Sequence, residues 1–112
     1  MRPLARYGRD VELTQDDAGG TRRVRVGEKI TVVLAENPTT GYRWAPEVDA
    51  AVLPVTADEY EGGTQPVGAA GTRRLTFVPG HPGKAKLRLV KRRAWEDKSV
   101  AEFEVDLEVT AD

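Results

Sequence analysis

The sequence predicts an all-β fold, a sandwich or a barrel made of short strands. Apolar side chains recur at every second position in five separate runs, as in strands that bury one face. Turns rich in glycine and proline separate these runs at intervals of roughly 8–12 residues, a spacing typical of sandwiches and barrels. No run of ten or more residues has the apolar spacing of an amphipathic helix.

The first half of the chain predicts four strands. Short strands are expected at residues 11–13 and 23–26, where valine or leucine alternates with polar side chains. A longer strand is expected at residues 29–35. The run at 42–44 carries two aromatic side chains at the same period and ends before Pro46.

The second half predicts the remaining strands, for a total of seven or eight. Residues 52–57 contain Pro54, which suits an edge strand because proline cannot donate to the hydrogen-bond ladder. Residues 59–67 are rich in turn formers and predict an irregular crossing. Further strands are expected at 73–78, 84–89 and 100–110.

The inward positions of these strands predict one core. Its expected members are Trp44, Leu75, Phe77, Leu87, Leu89, Phe103, Val105 and Leu107. The last two strands carry opposite charges on their outward rows, which are Lys84, Lys86 and Arg88 on one and Glu102, Glu104, Asp106 and Glu108 on the other. If these strands pair, each contact between opposite charges stabilises the fold by about 0.2–1 kcal/mol. We expect Lys86 and Arg88 to be exposed on the body of the sandwich.

Length and composition indicate a single globular domain. The chain has 112 residues with a formal net charge of −1, and we place the domain at residues 10–112, behind a flexible arm at 1–9. The near-zero charge gives no drive toward nucleic acid or an anionic membrane. No stretch approaches the roughly 20 apolar residues of a membrane span.

Catalytic chemistry has little support in this sequence. The chain has no cysteine, so it has no thiolate nucleophile, and its one histidine, His81, lies in a turn of prolines and glycines. No pair of carboxylates stands out as acid and base. We therefore expect no enzymatic activity, no metal and no cofactor.

The N-terminal residues are basic but precede no apolar run, so they do not predict a signal peptide. From the sequence as it stands we expect a cytoplasmic protein. If a leader precedes this sequence, we expect a secreted or periplasmic one.

One connection between predicted strands has distinctive backbone chemistry. Its sequence is Asn37-Pro38-Thr39-Thr40-Gly41-Tyr42. Pro38 fixes its own φ and favours extended geometry at Asn37, while Gly41 can take a positive φ. The two threonines between them are stiff at χ1, which predicts a firm protrusion tipped with small hydroxyls. The same pattern also suits a plain connection between strands.

This hexapeptide resembles the Asn-Pro-Thr-Thr-Gly-aromatic loop of the chagasin family, protein inhibitors of papain-like cysteine peptidases. Two further segments resemble loops of that family in the same order, Gly68-Ala69-Ala70-Gly71 and Arg93-Ala94-Trp95. Ala70 stands where the family prefers glycine, and Ala94 stands where it has proline. The resemblance extends over roughly residues 20–110.

The resemblance implies an immunoglobulin-like β-sandwich whose three loops, at one end, enter the peptidase cleft as a wedge. The loop at residues 37–42 would reach the catalytic centre with Thr39, Thr40 and Gly41. The stretch at 68–71 would contact one side of the cleft, largely through its backbone. Arg93 and Trp95 would contact the other side.

Taken alone, each flanking segment has a simpler interpretation. The stretch at 68–71 is also compatible with a flexible entry to the next strand. Trp95 could cover its own hairpin, although exposed tryptophan and arginine are enriched at binding hot spots. We expect a monomeric, reversible inhibitor of papain-like cysteine peptidases. The alternative is a generic immunoglobulin-like module that binds another protein through the same end.

Overall fold

The computed structural model describes residues 10–62 and 71–111, which form eight strands. The strands are β1 (Asp10–Leu13), β2 (Thr21–Arg25), β3 (Lys29–Glu36), β4 (Tyr42–Pro46), β5 (Val55–Glu61), β6 (Gly71–Phe77), β7 (Gly83–Arg93) and β8 (Ser99–Thr110). Single 3₁₀ turns lie at Gln15–Asp17 and Pro38–Thr40. The predicted arm at 1–9 and residues 68–70 of the predicted glycine-bearing loop lie outside the described residues.

The eight strands form two four-stranded sheets. The first sheet has the order β1-β3-β6-β5, and the second has the order β2-β8-β7-β4. The short strands β1 and β2 pair in parallel with β3 and β8, and the other pairs are antiparallel. The predicted all-β sandwich is therefore confirmed, with eight strands in the described part of the chain.

The core lies between the two sheets and follows the period-two pattern of the sequence. All eight side chains predicted for it are buried, with Trp44 the most exposed of them at 6%. The core also includes Leu13, Val24, Ile30, Val32, Leu34, Leu53 and Val109. Burial of a large aliphatic or aromatic side chain contributes about 1.5–3 kcal/mol, so this cluster supplies the main drive to fold.

The segment at 52–61 differs from the sequence prediction, and residues 52–54, predicted to open a strand, lie before β5. Residues 59–61 belong to β5 and do not form an irregular crossing, because β5 runs from Val55 to Glu61 along β6. The strand lies at the edge of its sheet, and none of its side chains is buried. A strand that buries neither face has no apolar alternation, so the pattern could not show its length.

The opposite charges predicted on the last two strands do meet. β7 and β8 pair in antiparallel register, with Lys86 opposite Asp106 and Arg88 opposite Glu104. Lys86 is exposed, as expected, but Arg88 is half-buried: Glu47 and Glu102 each lie 3.1 Å from its guanidinium nitrogens. A hydrogen bond to Glu102 and a smaller effect of the hydrogen bond to Glu47 raise the pKa of Arg88 above its ordinary value.

A buried ion pair lies within the first sheet at one end of the sandwich, and its carboxylate also bonds to the second sheet. Glu36, the last residue of β3, is 1% exposed, and Arg73 on β6 is 6% exposed. Nη2 and Nε of Arg73 lie 2.6 and 3.1 Å from Oε2 of Glu36. Across the core, the backbone N–H of Trp44 on β4 donates to Oε1 of Glu36 at 2.7 Å.

This arrangement satisfies both buried charges. Arg73 also donates to Asp58 at 3.0 Å, and its guanidinium lies 5.3 Å from the centre of the Tyr60 ring. The hydrogen bond to Glu36 is the largest cause that raises the pKa of Arg73 above its ordinary value. A buried carboxylate with a bidentate partner and a backbone donor is stable only while all its partners stay in place.

Removal of one partner should therefore be strongly destabilising. We expect Arg73→Met to lower the free energy of unfolding by about 3–5 kcal/mol, because it leaves the Glu36 carboxylate buried without its cation. The matched control is Arg74→Met, one residue along β6, where the arginine pairs with Glu12 at the surface. That change should cost about 1 kcal/mol or less. Urea unfolding of both variants measures the difference, and equal losses would contradict the assigned role.

Candidate binding site at one end of the sandwich

The strand ends that three connections join lie at the same end of the sandwich. The register places Glu36 opposite Gly71, Glu61 opposite Thr72, and Tyr42 opposite Arg93. The connection from β3 to β4 passes from one sheet to the other here, next to the end of β5, the start of β6 and the connection from β7 to β8. All three segments predicted for binding belong to these connections or to the strand ends beside them.

The connection at 37–41, here called the central loop, is held by its own hydrogen bonds. Asn37 is extended, and its Oδ1 accepts hydrogen bonds from the backbone N of Thr39 at 3.1 Å and from Oγ1 of Thr39 at 2.7 Å. Asn37 thus caps the 3₁₀ turn that Pro38 begins, and Gly41 ends it with φ +80°.

The two threonine hydroxyls take part in this structure. Oγ1 of Thr40 donates to the backbone O of Asn37 at 2.8 Å and accepts from the backbone N of Tyr42 at 3.3 Å. Thr39 and Thr40 are both exposed at the tip. The tip therefore presents two methyl groups and oxygen acceptors to a partner, while the hydroxyl protons are held within the loop.

The connection from β7 to β8, residues 94–98, forms the second described loop. Arg93 is the last residue of β7, and its backbone O accepts from the N–H of Glu96 at 3.0 Å, which closes a tight turn. Trp95 lies in this turn with 73% of its surface exposed. The alternative in which Trp95 covers its own hairpin is therefore wrong.

Arg93 connects the two described loops. Its Nε donates to the backbone O of Thr40 at 3.1 Å, and its guanidinium carbon lies 4.3 Å from the centre of the Tyr42 ring. The same carbon lies 5.9 Å from the centre of the Trp95 ring. Nη1 of Arg93 lies 3.9 Å from Oε1 of Glu96. Much of the Arg93 side chain thus packs against the protein's own loops.

Gly41 and Trp95 also meet directly. A Cβ atom built on Gly41 would lie 3.1 Å from Cη2 of Trp95, so the absence of a side chain allows the indole to approach the central loop. The central loop and the 94–98 loop therefore form one continuous surface. Its exposed members are Pro38, Thr39, Thr40, Ala94, Trp95, Asp97 and Lys98.

The third predicted segment is described only at its last residue. Gly71 is the first residue of β6 and is buried. A side chain there would collide with the backbone O of Glu61 and with the ring of Tyr60, which explains the glycine. Gly68, Ala69 and Ala70 lie outside the described residues, so their predicted contact with a peptidase stays a prediction.

Sequence reasoning missed the two charged residues beneath the central loop, Glu36 and Arg73. A signal was present, because Glu36 continues the inward series Ile30, Val32 and Leu34. Arg73 likewise precedes two inward core residues at the same period. Two opposite charges at inward positions of different strands predict a buried pair, and this pair fixes where the loop begins.

The described residues offer little for other chemistry. No group of three or more His, Cys, Asp or Glu side chains within 10–62 and 71–111 could hold a metal ion. Over the same residues, no helix is long and apolar enough to cross a membrane. What the site offers is an exposed, internally bonded surface made of two loops.

The comparison with known proteins identifies the family. The model of the chagasin family of peptidase inhibitors, I42, matches residues 23–109 of this chain. The chain belongs to the chagasin family. The match includes all three predicted binding segments.

One related sequence and two solved structures agree with this membership of the chagasin family. Amoebiasin-1 of Entamoeba histolytica is 31% identical over 90 residues, which cover 76% of this chain and 84% of that protein. The crystal structure of the cysteine protease inhibitor EhICP2 from Entamoeba histolytica matches with a TM-score of 0.82 at 22% identity, over 90% of this chain and 96% of that one. PbICP-C, solved in complex with falcipain-2, matches with a TM-score of 0.63 at 17% identity, over 98% and 96%. At these identities the two structures are evidence for the fold alone. They confirm the predicted immunoglobulin-like β-sandwich.

The close approach of Gly41 to Trp95 can be tested without a peptidase. Gly41→Ala and Gly27→Ala both place a side chain on a residue with positive φ, +80° and +90°, so both should lose about 1–2 kcal/mol of stability. Only Gly41→Ala should also displace the Trp95 indole, because nothing lies within 4 Å of a Cβ on Gly27. We therefore expect a changed tryptophan emission spectrum for Gly41→Ala alone. Identical spectra for both variants and the unmodified protein would contradict the contact.

Proposed function

We propose that this protein reversibly inhibits papain-like cysteine peptidases by inserting the loop end of the sandwich into the active-site cleft. Membership of a family of peptidase inhibitors supports the general activity. The relative solved in complex with falcipain-2 supports the choice of peptidase as partner. The observation that carries the mechanism is the joined surface of the central loop and the 94–98 loop.

The central loop would act as the tip of the wedge. Thr39 and Thr40 are exposed and small, and the loop behind them is held by hydrogen bonds to Asn37. Ordering a side chain on binding costs about 0.5–1.5 kcal/mol, so a loop that is ordered beforehand loses less on association. Its 3₁₀ backbone also differs from an extended peptide, which fits occlusion of the cleft without cleavage.

Trp95 would contact one side of the cleft. A large exposed aromatic side chain beside a rigid loop is typical of an interface hot spot. Arg93 would have two roles. Its guanidinium holds the Thr40 carbonyl in place, and the exposed part of its side chain, 35%, would contact the peptidase. The stretch at 68–71 would approach the opposite side. The proposed mechanism needs no covalent bond and no catalytic group in this chain.

A titration of papain with the purified protein tests the proposal. Residual activity on a fluorogenic substrate should fall in proportion to the inhibitor added and reach its minimum at one equivalent. Dilution of the complex should restore activity, because the inhibition is reversible. Full papain activity in a large excess of the folded protein would favour the generic binding module.

The tip of the wedge can be tested by one substitution. Thr39→Glu introduces a bulky charge where the bound loop would be desolvated, and burial of an unpaired charge costs several kcal/mol. Since each 1.4 kcal/mol is about tenfold in affinity, we expect the inhibition constant against papain to rise at least about a hundredfold. The melting temperature should stay nearly constant, because the loop tip contributes little to the core.

The matched control for this variant is Thr56→Glu. Thr56 is an exposed threonine on β5, near the opposite end of the sandwich. Its replacement should leave the inhibition constant within about twofold of the original. If both glutamate variants inhibit papain equally well, Thr39 does not belong to the site.

The body of the sandwich should not contribute to inhibition. We expect the double variant Lys86→Ser/Arg88→Ser to inhibit papain normally, because both residues lie on the strand body of β7, away from the loop end. Its stability should fall modestly, since Arg88 loses its contacts with Glu47 and Glu102. A tenfold weaker inhibition in a folded double variant would place part of the site on this face.

A further inference from the structure

Two arginines face each other beside the proposed binding loops. Arg43 on β4 is directly opposite Arg92 on β7, and directly opposed residues in a sheet share a face. The residues on either side of Arg43, Tyr42 and Trp44, alternate with it in direction, and Trp44 points into the core. Arg43 and Arg92 therefore lie on the outer face of the second sheet, where like charges oppose each other.

The rest of this outer face is arranged differently. Farther along β7, Lys86 pairs with Glu104, and Arg88 pairs with Glu47 and Glu102. Both oxygens of Glu102, the last carboxylate before the loop end, are engaged by Arg88 at 3.1 and 3.2 Å. The charge pairing therefore stops just before the position of the two arginines.

Neither arginine has an acidic partner within the part of the chain that the structure describes. Arg43 is exposed and makes no ion pair there. Arg92 is half-buried and donates from Nη1 to the backbone O of Glu96 at 3.2 Å, which uses one of its five donors. One guanidinium is thus held in place by the 94–98 loop, and the other is open to solvent.

We propose that Arg43 and Arg92 form a second contact, which binds a carboxylate on the rim of the target peptidase's cleft. The inference rests on the proposed function, because the arginines are the chain neighbours of Tyr42 and Arg93 at the loop end. Guanidinium groups bind carboxylates through two parallel hydrogen bonds, so a cross-strand pair can hold one acidic side chain from both sides. The contact would favour peptidases with an acidic rim.

A single carboxylate fits this place better than a polyanion does. A nucleic acid or an anionic membrane would extend beyond the two arginines and meet the acidic row of β8, which is Glu102, Glu104, Asp106 and Glu108. The chain as a whole has a net charge of −1, which adds no general attraction for a polyanion. An acidic side chain at the rim of a cleft meets the arginines alone.

The test measures association rate constants with two papain-like peptidases that have opposite net charge at the assay pH. With the acidic peptidase, in about 50 mM salt, Arg43→Glu should slow association about tenfold or more, because rim charges act mainly on the association rate. In about 500 mM salt the difference should largely vanish, since salt screens exposed charges. With the basic peptidase, Arg43→Glu should not slow association.

Two controls separate the possible causes. Arg23→Glu makes the same change of charge on an exposed arginine of β2, near the opposite end of the sandwich, and should slow association far less. The melting temperature of Arg43→Glu should equal or exceed that of the unmodified protein, because a glutamate opposite Arg92 replaces a repulsive pair with an attractive one. Slower association of a protein that is at least as stable excludes misfolding as the reason.

The outcomes are distinguishable. If the unmodified protein inhibits both peptidases but Arg43→Glu behaves like Arg23→Glu with the acidic one, the second contact is wrong and the proposed function stands. If the unmodified protein inhibits neither peptidase, the proposed function fails, and the second contact fails with it.

Discussion

The buried pair of Glu36 and Arg73 is the interaction on which the loop end depends. Glu36 ends β3, and the central loop begins at the next residue. Its carboxylate accepts from Arg73 in the first sheet and from the backbone of Trp44 in the second, so one side chain fixes both ends of the loop. The indole N–H of Trp44 donates to the O of Ala35 at 2.9 Å and holds the same corner. A buried pair adds little net stability, and we infer that this one favours a single arrangement of the sheets, because its carboxylate also holds the backbone of Trp44.

Above the buried pair, further hydrogen bonds hold the exposed loops in place. Asn37 caps the 3₁₀ turn, Gly41 ends it with a positive φ, and Arg93 links its carbonyl to the neighbouring loop. Each element restricts the freedom of the unbound surface and so reduces the entropy that binding must remove. An inhibitor that works by occlusion benefits directly, because its affinity depends on how well the free loops already match the cleft. The stability of the sandwich and the proposed affinity are thus connected through a few residues beneath the tip.

Much of the fold followed from the alternation of apolar side chains. β3, β7 and β8 were predictable because each buries one face against the other sheet, and period two then marks the inward residues. The length of β5 was not predictable, since this edge strand buries none of its residues. For the candidate site, the resemblance to family motifs selected the central loop and Trp95 as contacts with a peptidase, which stays a prediction. It gave Arg93 a contact with the peptidase and none within the chain. The contacts of Arg93 with Thr40 and Tyr42 depend on how two distant segments meet, which no local pattern shows.

Hydrogen–deuterium exchange of the protein, free and bound to papain, tests insertion of the loop end into the cleft, because it reports which backbone segments the peptidase covers. We predict slower exchange on binding at residues 37–42 and 94–98, and no change in the connection from β6 to β7 at 78–82, at the opposite end of the sandwich. Protection of the opposite end, with unchanged exchange at 37–42, would contradict insertion of the loop end into the cleft.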